Sequence, residues 1–251
     1  DRTRELQVLR SKAEFVSVAA HQLRTPLTAI RWAAENLVKD SLSFSEEQGK
    51  TISMIEESSV KLLRVVEDLL NIAKIEEGRF GYEFQDIELV GFINDILGFI
   101  RERTKEFNIQ IYFDKPVDAS VIIQGDLKKL EMAISNILDN AIRYNVKNGE
   151  VGVKIERLKD KPYLLISVRD TGIGISQEDI KKLFNKFYRG ENAMRTQTEG
   201  SGLGLYIVKN IIERHGGKIW IESILNRGTT VYFTLPTDFK LIPSREIISG
   251  E

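Results

Sequence analysis

Over the first forty residues, apolar side chains recur in alternating steps of three and four: Leu6, Leu9, Ala13, Val16, Ala20, Leu23, Leu27, Ile30, Ala34 and Leu37. This spacing is a heptad seam about five heptads long. The polar segment DSLSFSEEQ interrupts it with Ser and Asp cap candidates. A second seam then runs through Ile52, Ile55, Ser59, Leu62, Val66, Leu69 and Ala73. Two amphipathic helices joined by a short loop predict an antiparallel hairpin. Each helix would span roughly 45–55 Å at ~1.5 Å per residue. A lone hairpin leaves its seam half covered, so the expected arrangement is a homodimer closing a four-helix bundle.

Gly78 and Gly81, with aromatic residues between and after them, mark a boundary beyond which the periods mix. Residues 88–106 read as a helix, 109–113 and 121–124 as strands. Asp126 is the expected N-cap of a helix carrying Leu130, Ala133, Ile134, Ile137, Leu138 and Ala141. Strands follow at 151–156 and 163–170, a helix at 203–215, and closing strands in KIWIES and TTVYFTLP. The fold class is α+β with two domains. Residues 1–78 form the helical hairpin of a dimeric four-helix bundle, and 79–251 an α/β sandwich.

Composition narrows the function. A chain of 251 residues with 42% hydrophobic and 29% charged residues is neither fibrous nor disordered. It has no cysteine, which excludes a disulfide framework, a thiol nucleophile and a thiolate metal site. With 36 basic and 37 acidic residues, no bulk field favours nucleic acid or an anionic membrane. Apolar runs fall far short of the ~18 residues of a membrane span. The opening DRTREL is charged and reads as a cut inside a longer protein.

The candidate chemistry begins at His21, one residue past a seam position and so on the flank of the bundle. A solvated surface histidine is one reading. Its surroundings, AAHQLRTPLTAI, favour another: Pro26 lies mid-helix, where it cannot donate to the Gln22 carbonyl and should kink the chain. Thr25 shares the face of His21, one turn on. The segment HQLRTPL resembles the phospho-acceptor box of the sensor histidine kinases of two-component signalling. The resemblance implies that a neutral His21 imidazole nitrogen takes a phosphoryl group.

Four further motifs follow in order. NILDNAIRYN resembles the family's N box and places Asn136 and Asn140 on one helix face, with amide oxygens suited to Mg²⁺. Arg143 and Tyr144, one turn on, can reach phosphate and nucleobase. DTGIGIS offers Asp170 as an acceptor for the exocyclic amine of adenine, with Gly172 and Gly174 allowing close backbone approach. Taken alone, the pattern also fits a tight turn. LFNKFYRG brings Lys186 and Arg189 for phosphates, with Phe184 and Phe187 expected as core anchors. GSGLGLYIVK sets Gly200, Gly202, Leu203 and Gly204 at the mouth of a helix, an anion site through free N–H groups and the dipole. A dinucleotide-binding turn would need a preceding strand, whereas the preceding YRGENAMRTQTE is polar. Residues 189–199 are expected to be a lid ordered by ligand. His215 reads as a C-terminal capping residue.

The family resemblance covers residues ~10–236 and implies an ATP-dependent protein-histidine kinase with ATP and Mg²⁺ as cofactors. It further implies transfer from His21 to an aspartate of a response-regulator receiver domain, and a cytoplasmic location for this segment, whether or not the full-length sensor is membrane-tethered. One residue departs from the pattern: Gln22 stands where the family usually has a carboxylate. Glutamine can orient the ring but cannot take its proton, and general base catalysis is typically worth ~10²–10⁴-fold. Thr25 matches the position that orients water for regulator dephosphorylation in the family. The alternatives are therefore a kinase-impaired nucleotide-binding scaffold or phosphatase, or a coiled coil fused to a gyrase-like ATPase that releases phosphate to water.

Overall fold

The computed structural model describes residues 20, 22–38, 44–104, 108–115, 121–196 and 200–243. The expectations placed on Leu6, Leu9, Ala13, Val16 and His21 lie outside these residues. The chain divides into two compact units between Phe80 and Gly81.

In the first unit, helix α1 covers residues 22–38 and α2 covers Glu46–Glu76. Ser45 starts α2 with a reciprocal capping box: its hydroxyl accepts from the Gln48 amide, and the Gln48 side chain accepts from the Ser45 amide. α1 continues through Pro26, and the Thr28 hydroxyl donates to the Arg24 carbonyl at 2.8 Å. The two seams split in half. Ala20, Leu27 and Ala34 are buried, as are Ser59, Val66 and Ala73 on α2. Leu23, Ile30 and Leu37, together with Ile55 and Leu62, are exposed at 43–51%. Ala20, Leu27, Val66 and Leu70 pack as one core, flanked by Leu63. Along each seam the buried residues repeat every seven positions, and so do the exposed ones, with Ile52 and Leu69 half-buried.

The second unit holds β1 (Gln85–Glu88), α3 (Leu89–Thr104), β2 (Gln110–Asp114), β3 (Ile122–Gly125) and α4 (Leu127–Arg143). It continues with β4 (Glu150–Arg157), β5 (Tyr163–Asp170), α5 (Gln177–Ile180), α6 (Glu191–Thr196), α7 (Gly204–Arg214), β6 (Ile219–Ile224) and β7 (Gly228–Pro236). Five strands form a sheet in the order β2-β4-β5-β7-β6, with β2 parallel to β4 and every other pair antiparallel. One face is apolar: Val153 pairs with Val168, Ile166 with Phe233, and Val231 with Ile221, all buried. α4 and α7 pack on each other; α4 also meets β5, and α7 meets β6 and β7. The other face carries exposed Lys154, Arg169, Trp220 and Glu222, the alternation expected of a sheet covered on one side.

The strand expected at 121–124 does not join this sheet. β3 pairs antiparallel with β1, a strand the periodicity did not predict, in a separate two-stranded ladder. The polar segment expected to be a lid contains α6 over Glu191–Thr196, with residues 197–199 outside the description.

The two central helices meet at a buried junction. Asp126 caps α4 as expected, its Oδ1 accepting from the Lys129 amide at 3.0 Å. Its Oδ2 accepts from the Glu83 amide at 2.8 Å. Its own amide donates to Nε2 of His215 at 2.9 Å. His215, fully buried, therefore carries its proton on Nδ1 and donates it to the Ile211 carbonyl at 2.7 Å, capping α7. The expectation of a capping histidine thus captures one of its two bonds. Burial holds the imidazole pKa down at about 4, below its ordinary 6.5. The neutral form contributes stability that is present above 6.5 and lost as pH falls through the folded value. His215→Leu strands both partners in an apolar site, at a cost of about 2–3 kcal/mol at neutral pH. Urea unfolding across a pH series should show the gap between wild type and His215→Leu closing as pH falls from about 6.5 towards 4.

Candidate nucleotide site

The residues expected to hold a nucleotide come together around α4, β5 and the N-terminus of α7. The C-terminal end of α4 is locked to the loop after β5. The Ile173 amide donates to the Tyr144 carbonyl at 3.0 Å. The Thr171 hydroxyl donates to Oδ1 of Asn145 at 3.1 Å and accepts from the Glu150 amide at 2.9 Å. A Cβ at Gly172 would lie 2.2 Å from the Tyr144 carbonyl oxygen, so the two backbones can approach only because this residue is glycine. Gly174, at φ 66°, is similarly pressed against the β6–β7 turn: a Cβ there would lie 2.1 Å from the Ile224 carbonyl oxygen.

Asp170 stands at the centre of this loop, buried at the end of β5. Its Oδ1 accepts from the Gly172 amide at 2.8 Å and from the Thr229 amide at 3.1 Å. Oδ2 has no donor among the described residues. Burial raises the carboxyl from its ordinary 3.8 to about 6, against the opposing pull of the two backbone donors. Thr229, which the motif reading missed, thus helps to orient the carboxylate. Its signal was the RGTT turn between the closing strands.

A second cluster lies at α7. Leu203 occupies the N-cap position of this eleven-residue helix with no side-chain cap bond. Leu203 is itself fully buried. Asn136 donates through Nδ2 to the Met132 carbonyl at 2.9 Å. Its Oδ1 lies 2.8 Å from where a Cβ at Gly204 would sit. The structure therefore brings the first asparagine of the N box to the glycine-rich turn. Asn140 and Arg143 lie one and two turns further along α4, both half-buried.

The Arg189 guanidinium reaches Gly200, 3.4 Å from a Cβ there. Gly202, at φ 68°, packs on the backbone of Phe187 and Tyr188. The Lys186 ammonium sits 4.9 Å from the centroid of the Tyr206 ring. Phe187 is not a core anchor: it is 65% exposed and adopts φ 62°, unusual for a bulky side chain. Phe184 is half-buried. In the first unit, Gln22 and Thr25 are exposed on α1.

These features fit a bound nucleotide: a buried carboxylate with a spare oxygen, glycine backbones that a side chain would block, a helix N-terminus without a side-chain cap, and basic groups beside it. Among the described residues there is no group of three or more His, Asp or Glu able to hold a metal.

Comparison with known proteins agrees with the motif order. Residues 11–78 match the His Kinase A (phospho-acceptor) domain, and residues 125–238 match the Histidine kinase-, DNA gyrase B-, and HSP90-like ATPase family. The chain belongs to the two-component sensor histidine kinases. Among curated histidine kinases, it is 33% identical over 236 residues to sensor histidine kinase WalK of Bacillus subtilis, covering 94% of this chain and 38% of WalK. It is 31% identical over 235 residues to circadian input-output histidine kinase CikA of Synechococcus elongatus, covering 93% and 31%. The chain thus spans well under half the length of these relatives. Among solved histidine kinases, ThkA in complex with response regulator protein TrrA matches with TM-score 0.65 and 25% identity, over 96% of this chain and 65% of ThkA. No helix among the described residues of this histidine kinase chain is long and apolar enough to cross a membrane.

The energetics of Asp170 can be tested without ligand. A raised carboxyl favours folding when protonated; that contribution is full below 3.8 and is lost as pH rises through about 6. At neutral pH the folded state therefore carries the penalty of a buried charge, on the order of 3 kcal/mol. Asp170→Asn keeps an acceptor for Gly172 and Thr229 and removes the charge. Thermal unfolding should show it stabilised over wild type at pH 7.5, with the difference largely gone at a pH of about 4.5.

Proposed function

We propose that this chain is the phosphotransfer core of a protein-histidine kinase. The observation that carries the reading is Asp170: a buried carboxylate held on one oxygen by two backbone amides, its other oxygen available to an exocyclic amine. The nucleotide is ATP. Asp170 takes the adenine amine, Tyr144 and Arg143 flank it, and the glycines at 172 and 174 allow the base to lie against backbone. Lys186, Arg189 and the first-turn amides of α7, opened by Gly200, Gly202 and Gly204, take the phosphates. Asn136 and Asn140 hold Mg²⁺, which when bound neutralises phosphate charge. The γ-phosphoryl passes to a nitrogen of His21, the residue before Gln22 in the sequence, leaving ADP, and then to an aspartate of a response-regulator receiver domain. Gln22 orients the imidazole through an amide, and Thr25, on the same helical face, serves dephosphorylation of the regulator. The resemblance to ThkA, a kinase solved with its regulator, supports that partner.

The exposed halves of the two seams support a homodimer. Leu23, Ile30, Ile55 and Leu62 form apolar stripes that a lone hairpin leaves in water, and a second copy covers them in a four-helix bundle. Sedimentation at micromolar concentration should show a dimer, with Leu62→Lys monomeric; a monomeric wild type contradicts this arrangement.

The enzymatic reading is tested with γ-labelled ATP. The expected label is acid-labile and base-stable, lost in His21→Ala and formed up to about tenfold faster in Gln22→Glu, a change of ~1.4 kcal/mol in barrier. Nucleotide binding without any label would favour the scaffold or phosphatase that Gln22 suggests. Phosphate release unaffected by His21→Ala would favour a simple ATPase.

A further inference from the structure

The inward face of β6 breaks its own pattern. Ile219, Ile221 and Ser223 share that face, and the third is polar although it is only 7% exposed. A buried hydroxyl is costly unless its bonds are made. This one makes three. Ser223 Oγ accepts from the Ile175 amide at 2.8 Å, in the loop that follows Asp170. It donates to the Gly228 carbonyl at 2.9 Å, and it lies 2.9 Å from the hydroxyl of its cross-strand partner, Thr229. The protons of this cluster can be counted. The Ile175 amide only donates and the Gly228 carbonyl only accepts. Ser223 has a single proton, and it goes to the carbonyl. The bond to Thr229 must then run the other way, with the Thr229 hydroxyl donating to Ser223. Thr229 is also the residue whose amide donates to Oδ1 of Asp170 at 3.1 Å. Its hydroxyl would be a ready donor to the same carboxylate if its proton were free. That proton is engaged, and Oδ2 of Asp170 has no donor among the described residues.

We infer that Ser223 is a positioning residue for base recognition: it captures the hydroxyl proton of Thr229 and so keeps the Asp170 carboxylate an open acceptor for the exocyclic amine of adenine. The inference rests on the reading of Asp170 given above. An acceptor with no protein donor on its second oxygen favours a ligand that brings its own donor. A protein hydroxyl on that carboxylate would offset the advantage, because the amine would have to displace it. Ser223 makes no bond to Asp170 and acts only through Thr229. Its effect therefore belongs in the preference for a purine that carries the amine over one that lacks it, and not in the hold on the phosphates.

The test is a pair of calorimetric titrations of the full chain, with ATP and with purine riboside triphosphate, the same nucleotide without the exocyclic amine. The readout is the ratio of the two Kd values. Wild type should prefer ATP by about tenfold or more, as expected for a hydrogen bond to a charged group. Ser223→Ala should cut that preference about three- to tenfold. Thr229→Val removes the hydroxyl and keeps the amide that holds Asp170. In the Thr229→Val background, Ser223→Ala should change the preference by less than about twofold, because no proton remains to be released. Ser223→Thr, which restores a hydroxyl, should keep the wild-type preference. Where the alanine variant does not fold, Ser223→Cys carries the same test, its thiol being a weak acceptor for the Thr229 proton. If Ser223 does no more than fasten the loop to the turn, its loss weakens both nucleotides alike, or lowers the preference equally in both backgrounds. Either result overturns the proposal. A wild-type chain that binds both nucleotides equally overturns the adenine reading of Asp170 and the positioning role together. A wild type that prefers ATP, with that preference intact in the Ser223 variants, overturns the positioning role alone.

Discussion

The hydrogen bond from the Asp126 amide to the His215 imidazole joins the start of one central helix to the end of the other, deep in the second unit. Both α4 and α7 lie on one face of a single sheet, and each contributes one half of the candidate site: the asparagines from α4, the glycine-rich turn from α7. Their relative placement decides whether Asn136 meets Gly204. At the junction Asp126 binds the first turn of α4, the His215 imidazole and the Glu83 amide, and His215 binds Asp126 and the Ile211 carbonyl of its own helix. An imidazole that is neutral and wholly buried is tolerated because both of its nitrogens have partners.

Around this frame the site is built from backbone more than from side chains. Tyr144, Gly172, Asp170 and Gly228 approach one another through carbonyls and amides, at distances that a Cβ would forbid. The few polar side chains that enter are held from behind: Asp170 by two amides, Asn136 by its own helix. A carboxylate kept ionised in such a place costs the folded state stability. That is the usual position of a group retained for what it binds and not for what it contributes to folding.

Much of this was legible in the sequence, for identifiable reasons. The heptad seams, the Asp126 cap and the order of the motifs are local signals, carried by spacing along one helix or turn. The partners that lie far apart in sequence were not legible: Thr229 on Asp170, Glu83 on Asp126, and the pairing of β3 with β1 instead of the main sheet. Periodicity marks 121–124 as a strand but cannot say which edge it joins. Phe187 misled for a related reason. Apolar residues in an aromatic segment read as core, whereas a positive φ turns this one outward. The even division of each seam into a buried and an exposed half also appears only in three dimensions, because the heptad pattern treats both halves alike.

The two perturbed groups of the second unit pull in opposite directions. Unfolding in mildly acidic solution lets His215 take up a proton that burial had denied it, and makes Asp170 give up one that burial had retained. Between about pH 4 and 6 the two exchanges nearly cancel, so these groups together leave unfolding almost proton-neutral. Across that range the Asp170 carboxyl changes its ionisation while His215 offsets the effect on folding, so the proton balance of this pair leaves the stability of the fold largely untouched.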